Sequence, residues 1–204
     1  MTTTQTLPDP VSQRRIRAGR WKLLGLLLVC AAPVIASYLT YYVIKPDGRT
    51  NYGALIDPQR STDAFGVVAP DGTAGSLSAL RGRWVMVSIV AGPCDRPCVD
   101  RLYAMRQVRL TTGKDRDRVE RLLLVTGPQL PSDAVMRDYD GTVLLRAAPQ
   151  AVADLFPADD GRAPADHVYV IDPLGNLMMR FPAPADPNRM KKDIAKLLRA
   201  SRVG

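Results

Sequence analysis

Hydrophobic positions in this 204-residue chain follow two patterns. Residues 23–44 read LLGLLLVCAAPVIASYLTYYVI and carry no charge. Beyond residue 64 the apolar residues come in short runs, separated by polar and turn-forming positions. Residues 84–90 (WVMVSIV) are rich in β-branched side chains and predict a buried strand. Residues 98–110 suit a helix, and residues 121–126 contain LLLV, a second buried strand. Residues 132–139 suit a short helix with Ser132 as N-cap. A strand over 142–146 and a short helix over 150–156 follow. Residues 168–171 and 177–181 predict two strands, joined by the turn signal Asp172-Pro-Leu-Gly175. Residues 187–202 close the chain as a basic amphipathic helix, with Met190, Ile194, Leu197 and Leu198 at helical spacing. Residues 45–63 hold Pro46, Gly48, Asn51, Gly53 and Pro58, and they read as a linker.

Strands alternating with helices predict an α/β fold with a mixed sheet. The tight connection between the last two strands predicts an antiparallel hairpin. A β-α-β start, a hairpin and a closing helix is the element order of a thioredoxin-like domain. The chain therefore divides into a basic segment over 1–22, an anchor over 23–44, a linker over 45–63 and a thioredoxin-like domain over 64–204.

The uncharged stretch is long enough to cross a bilayer: about 22 residues at about 1.5 Å rise span about 33 Å, against a hydrocarbon core of about 30 Å. Trp21 stands at one edge, and Tyr38, Tyr41 and Tyr42 stand near the other, as interfacial aromatics do. Arg14, Arg15, Arg17, Arg20 and Lys22 precede the span, so the positive-inside rule predicts a cytoplasmic N-terminus. The domain then lies outside the cytoplasm, in the periplasm of a cell that has an outer membrane, and membrane lipid contacts residues 23–44. The alternative is a signal peptide cleaved near Ala36, which also exports the domain.

The formal net charge of +8 is partly this cluster. Five of the 28 basic residues and one of the 20 acidic ones precede residue 45, which leaves +4 on the remainder. The domain's basic residues alternate with Asp, as in Lys114-Asp-Arg-Asp-Arg118, and lack interleaved aromatics, so nucleic acid is not an expected partner.

Of three cysteines, Cys30 lies in the apolar span and reads as a small membrane-facing residue. Cys94 and Cys98 fall just after the first long strand, at the start of a helix. Four residues apart on a helical turn, two sulfurs can close a disulfide or grip one metal ion. A helix N-terminus stabilises a thiolate, and Arg96 adds positive charge. A purely structural staple is the third possibility, but a loop this short contributes only about 2 kcal/mol in the loop-entropy model.

His167 is the single histidine, at the entry to a predicted strand. Two thiolates and one imidazole form a plausible copper set, for Cu(I) or Cu(II), with Asp166 available to orient the ring. Met178 and Met179 point to opposite faces as consecutive strand residues, so at most one could join a copper site, and core packing is the expected role.

Taken together, the apolar span, the CxxxC after a strand, the later Asp166-His167 and the VYVIDPLGNL segment before the last helix resemble the Sco/SenC family. The similarity covers about residues 62–202. It is strongest around residues 89–98 and 166–181. The resemblance implies a thioredoxin fold, a membrane anchor, and a role in assembling the copper centre of cytochrome c oxidase. It also implies copper ligation by Cys94, Cys98 and His167. The sequence departs from that family in three places. His167 stands only one residue ahead of Tyr169, with Pro164 near the family's histidine position. Ile89-Val-Ala-Gly-Pro replaces an aromatic lead, and Thr126-Gly-Pro-Gln-Leu replaces an Asp-rich stretch. The expected function is a copper-binding assembly factor whose recipient is the oxidase's copper subunit or another copper or thiol partner. The alternative is a thiol–disulfide reductase in which Cys94 attacks and Cys98 resolves.

Overall fold

The computed structural model describes residues 10–44 and 51–201. They fall into two units, one within residues 10–44 and one within residues 51–201. In the first, helix α1 (Pro10–Leu39) runs through Pro33 and ends in a wider turn over Thr40–Ile44. Its stretch Arg20–Tyr42, with a mean hydropathy of 2.2, is long and apolar enough to cross a membrane. The helix begins at Pro10, so part of the basic segment is helical as well. Residues 1–9 and 45–50, which include part of the predicted linker, lie outside the described residues.

The second unit is built on one eight-stranded mixed sheet with strand order β1-β8-β7-β4-β5-β6-β2-β3. The strands are β1 (Ala54–Ser61), β2 (Gly66–Val68), β3 (Ala74–Ser76), β4 (Trp84–Val90), β5 (Val119–Val125), β6 (Val143–Arg146), β7 (Val168–Ile171) and β8 (Asn176–Phe181). Helices α2 (Arg96–Thr111), α3 (Asp133–Asp138), α4 (Pro149–Leu155) and α5 (Pro187–Ala200) complete it. Strand β4 runs parallel to β5, with Trp84 opposite Val119 and Val90 opposite Val125. It runs antiparallel to β7, with Ser88 opposite Val168.

All seven β4 residues are buried, as its unbroken apolar run requires of a strand covered on both faces. Met86 and Val90 join one core with Leu102, Met105 and Val108 of α2 and Met190, Ile194 and Leu198 of α5. Val85, Val87 and Ile89 join the other, with Phe65, Leu77, Val152, Phe156 and Tyr169.

Three differences from the pattern-based expectation have physical causes. Residues 54–61, expected as linker, form strand β1 on β8, so the sheet begins ahead of residue 64. The strand was hidden because it is an edge strand: it has no fully buried position, its pairing shifts between Leu55 and Arg60, and it contains Pro58. The short strands β2 and β3 were too brief to show a period. Met178 and Met179 both join the α2–α5 core rather than opposite faces. The β7–β8 register slips there, with Val170 opposite Met179 and Ile171 opposite Leu177, so Met178 is an extra residue in a bulge.

Two contacts anchor the unit. The buried Asp193 carboxylate on α5 accepts the Gly53 amide N–H at 2.9 Å, tying the closing helix to the chain that enters β1. At the C-terminal edge of β4, a Cβ on Gly127 would drive into the carbonyl of Ala91, so the loop after β5 lies directly against the one after β4. Asp193→Ala is expected to lower the unfolding free energy by about 1–3 kcal/mol, the cost of stranding a buried donor, as read by chemical denaturation. Gly127→Ala is expected to cost at least about 2 kcal/mol, because the obstacle is backbone and cannot rotate away.

Candidate functional site: a disulfide turn beside a charged cavity

The site grows from the end of β4. The Thr126 N–H donates to the Val90 carbonyl at 2.9 Å, and the Thr126 hydroxyl adds a longer bond to the same oxygen. The Arg146 guanidinium donates to the carbonyls of Gly127 and Pro128. The loop over residues 91–95 therefore leaves a buried strand against a fixed neighbour.

Asp95 caps α2: its side chain accepts the Cys98 N–H at 3.0 Å, and its carbonyl accepts the Val99 N–H. Pro97 in the first turn suits a position without an intrahelical partner for its nitrogen. The helix stops at Thr112, followed by Gly113 at φ 59°, a conformation that favours glycine.

Cys94 and Cys98 are joined by a disulfide, with Cα atoms 5.2 Å apart. Their environments differ. Cys98 is fully buried in the core, whereas Cys94 is half-buried at the mouth of the turn. Of the two, Cys94 is the residue open to solvent. Once reduced, a Cys94 thiolate just ahead of the helix N-terminus is favoured by the helix dipole. Arg96, expected to support that thiolate, is exposed and paired with Asp100 at 2.9 Å.

A different arginine occupies the interior. Arg101 stands three residues after Cys98 on the buried stripe Cys98-Leu102-Met105-Val108. Its Nε donates to Ser88 Oγ at 3.1 Å and its Nη2 to the Ile89 carbonyl at 3.3 Å. Among the described residues no carboxylate pairs with it. Burial lowers its pKa, and the charges of Asp95, Asp166 and Asp100 act against that shift. A guanidinium remains charged near neutrality regardless. Sequence reasoning missed Arg101; the available signal was a charge set on an otherwise apolar helical stripe.

Arg101 borders a cavity of about 320 Å³, also lined by Pro97, Asp100, Arg162, Asp166 and Pro184. The cavity thus joins the disulfide turn to the loop before β7, as expected from the antiparallel β4–β7 pairing.

His167 sits at that loop's junction with β7, but its ring turns into the protein. It is fully buried, and its Nδ1 lies 3.0 Å from the Phe181 carbonyl. The Asp159 N–H approaches Nε2 at 3.5 Å, and an Asp159 carboxylate oxygen lies 3.8 Å from it. A backbone carbonyl can only accept, so Nδ1 donates to Phe181, and Nε2 faces Asp159. The same loop is strapped down by three further contacts. Pro157's carbonyl accepts the Tyr169 hydroxyl at 2.8 Å and Arg180 Nη1 at 2.9 Å, and Arg180 pairs with Asp159. Burial also raises the pKa of the Tyr169 hydroxyl and so keeps it a donor. Asp166, expected to orient the ring, instead accepts the Ala163 N–H at 2.9 Å.

The structure thus joins Cys94 to Cys98 and engages both nitrogens of His167 elsewhere. Among the described residues no three His, Cys, Asp or Glu side chains converge as a metal-holding group. A three-ligand copper set does not fit this arrangement, whereas two reduced thiolates remain a possible pair of soft ligands.

Among solved structures, the domain is similar to apo Sco1 from Thermus thermophilus, at 19% identity and a TM-score of 0.53, covering 76% of this chain and 98% of that one. It is similar to a thiol:disulfide interchange protein of the thioredoxin family from Chlorobium tepidum, at 22% identity and a TM-score of 0.51, covering 68% and 95%. Yeast Sco1 matches at 16% identity and a TM-score of 0.50, covering 69% and 99%. At these identities the likeness establishes the fold, a thioredoxin fold as in the Sco proteins. No curated protein matches the chain. The family described as "Transmembrane-like, N-terminal domain" matches residues 12–43. The one described as "Transmembrane-like, thioredoxin-like, C-terminal domain" matches residues 84–201, more than half the chain, and the protein belongs to that family.

Proposed function

We propose that this protein is a membrane-anchored thiol–disulfide oxidoreductase whose domain works outside the cytoplasm. The observation that carries the reading is the asymmetry of the Cys94–Cys98 disulfide: Cys94 is half-buried and Cys98 fully buried, at the N-terminus of α2. The reaction balances as two exchanges. A donor thiolate attacks Cys94 Sγ, the Cys94–Cys98 bond breaks, and Cys98 leaves as a thiolate that takes up a proton. A second donor thiolate attacks the mixed disulfide at the donor's sulfur, which releases Cys94 and forms the donor disulfide. The reduced protein then runs the same chemistry on a target. Cys94 attacks one target sulfur, Cys98 attacks Cys94, and the target departs as two thiols, two electrons and two protons richer.

A second reading is favoured by the pairing of two soft sulfurs and by the resemblance to the Sco/SenC family. Reduced Cys94 and Cys98 would bind Cu(I) as cargo for the copper subunit of cytochrome c oxidase, after or instead of reducing that subunit's cysteines. His167 would join only by leaving Phe181 and Asp159, so the two thiolates would carry the binding.

For the exchange reading, Cys98→Ser is expected to trap a mixed disulfide through Cys94 when the protein meets a disulfide substrate, visible as a mass increase that a reductant reverses. Cys94→Ser is expected to trap none; equal trapping by both variants contradicts the assigned roles. For the copper reading, a Cu(I) titration of the reduced full chain against a competing chelator is expected to give one copper per chain. That binding is lost in Cys94→Ser and unchanged within about twofold in His167→Ala, because the histidine's nitrogens are engaged elsewhere. A large loss in His167→Ala would show that the ring does turn to the metal.

A further inference from the structure

The cavity beside the disulfide turn has an unusual charge balance. Four ionisable side chains line it: Arg101, Arg162, Asp100 and Asp166. Both carboxylates are already committed, Asp100 to Arg96 and Asp166 to the Ala163 N–H. Neither arginine has a carboxylate partner among the described residues. Arg162 is exposed at the rim. Arg101 is more than nine-tenths buried and holds its guanidinium in place through Ser88 and Ile89. Its hydrogen-bond partners are neutral, and Asp95, Asp166 and Asp100 act on it only through space. Burying a guanidinium on those terms is costly, and the cost falls one helical turn after Cys98, on a helix whose other buried positions are apolar. Pro97, inside the Cys94–Cys98 turn, forms part of the same wall.

We infer that this cavity is a substrate-recognition site for a carboxylate, and that the exchange partner is a thiol or disulfide carrying a carboxylate close to its sulfur. The inference rests on the exchange reading above and specifies its substrate class. Arg101 and Arg162 both act as positioning residues. Arg162 meets the incoming anion at the rim, and Arg101 supplies the fixed donor deeper in. A carboxylate accepted there draws the neighbouring sulfur toward Cys94 without disturbing the disulfide itself. A partner carrying an amide in that place gains neither charge-assisted bond.

The test uses the full chain in non-ionic detergent, with mercaptoacetate and mercaptoacetamide as reductants. Disulfide opening is followed by quenching with an alkylating reagent. Each rate is divided by that of the same thiol on a small open disulfide, which removes intrinsic thiol reactivity. The expected result is a preference of about tenfold for mercaptoacetate, the scale of one partly exposed charge-assisted bond. It falls toward unity in Arg162→Gln and at high salt, while the mercaptoacetamide rate stays unchanged. Equal corrected rates, or a preference indifferent to Arg162→Gln, overturn the inference while leaving exchange intact. If neither thiol opens the disulfide, the exchange reading fails. The cavity is then tested alone, by backbone amide shifts on titration with unreactive (methylthio)acetate. Saturable shifts at Asp166 and Ala185 that vanish in Arg162→Gln sustain the carboxylate site, and their absence overturns it.

Discussion

The burial of β4 on both faces is the constraint from which the site follows. A strand with no exposed residue must be covered by helices on each side, and its chain must leave the sheet at one defined edge. The polypeptide comes out against the loop of β5, where Thr126 holds the last β4 carbonyl and Gly127 leaves room for Ala91. Asp95 then starts α2 at once by capping Cys98. The α2 stripe that faces the core begins at Cys98, so that sulfur is buried while Cys94 stays at the mouth of the turn. The chemical inequality of the two cysteines is a consequence of packing.

The same strand organises the other side of the site. Antiparallel pairing with β7 brings the loop ahead of that strand to the edge where α2 begins. In this chain the loop is held by side chains rather than left open. Tyr169 and Arg180 hold Pro157, Arg180 holds Asp159, and His167 is bonded to Phe181. A histidine one residue from a buried strand shares the strand's burial, and its polar atoms must find partners inside. The close spacing of His167 to Tyr169 carries this structural meaning: the ring serves as an internal tie between β7 and β8.

Much of the fold was legible because its central elements obey simple periods. The apolar runs of β4, β5 and β7, the hairpin turn at Asp172–Gly175 and the stripe of α5 all carried their structure locally. Strand β1 was not legible, because an edge strand needs no buried face and tolerates Pro58 and a register shift. The bulge at Met178 was not legible either, since register is set by the partner strand. Within the site, Cys94 and Cys98 were readable from spacing and context. Arg101 was obscured by expectation. A charge on a helix is ordinarily solvated, and only the folded arrangement shows this one turned inward against Ser88.

The central claim is that Cys94 and Cys98 form a redox-active pair rather than a fixed staple. Equilibrium titration of the full chain against a graded thiol–disulfide buffer measures this most directly. The account predicts a reversible two-electron transition with a midpoint above about −300 mV, in the range of exchange-competent couples. A midpoint well below that value, or a bond that resists reduction until the domain unfolds, would mark the disulfide as structural and contradict the account.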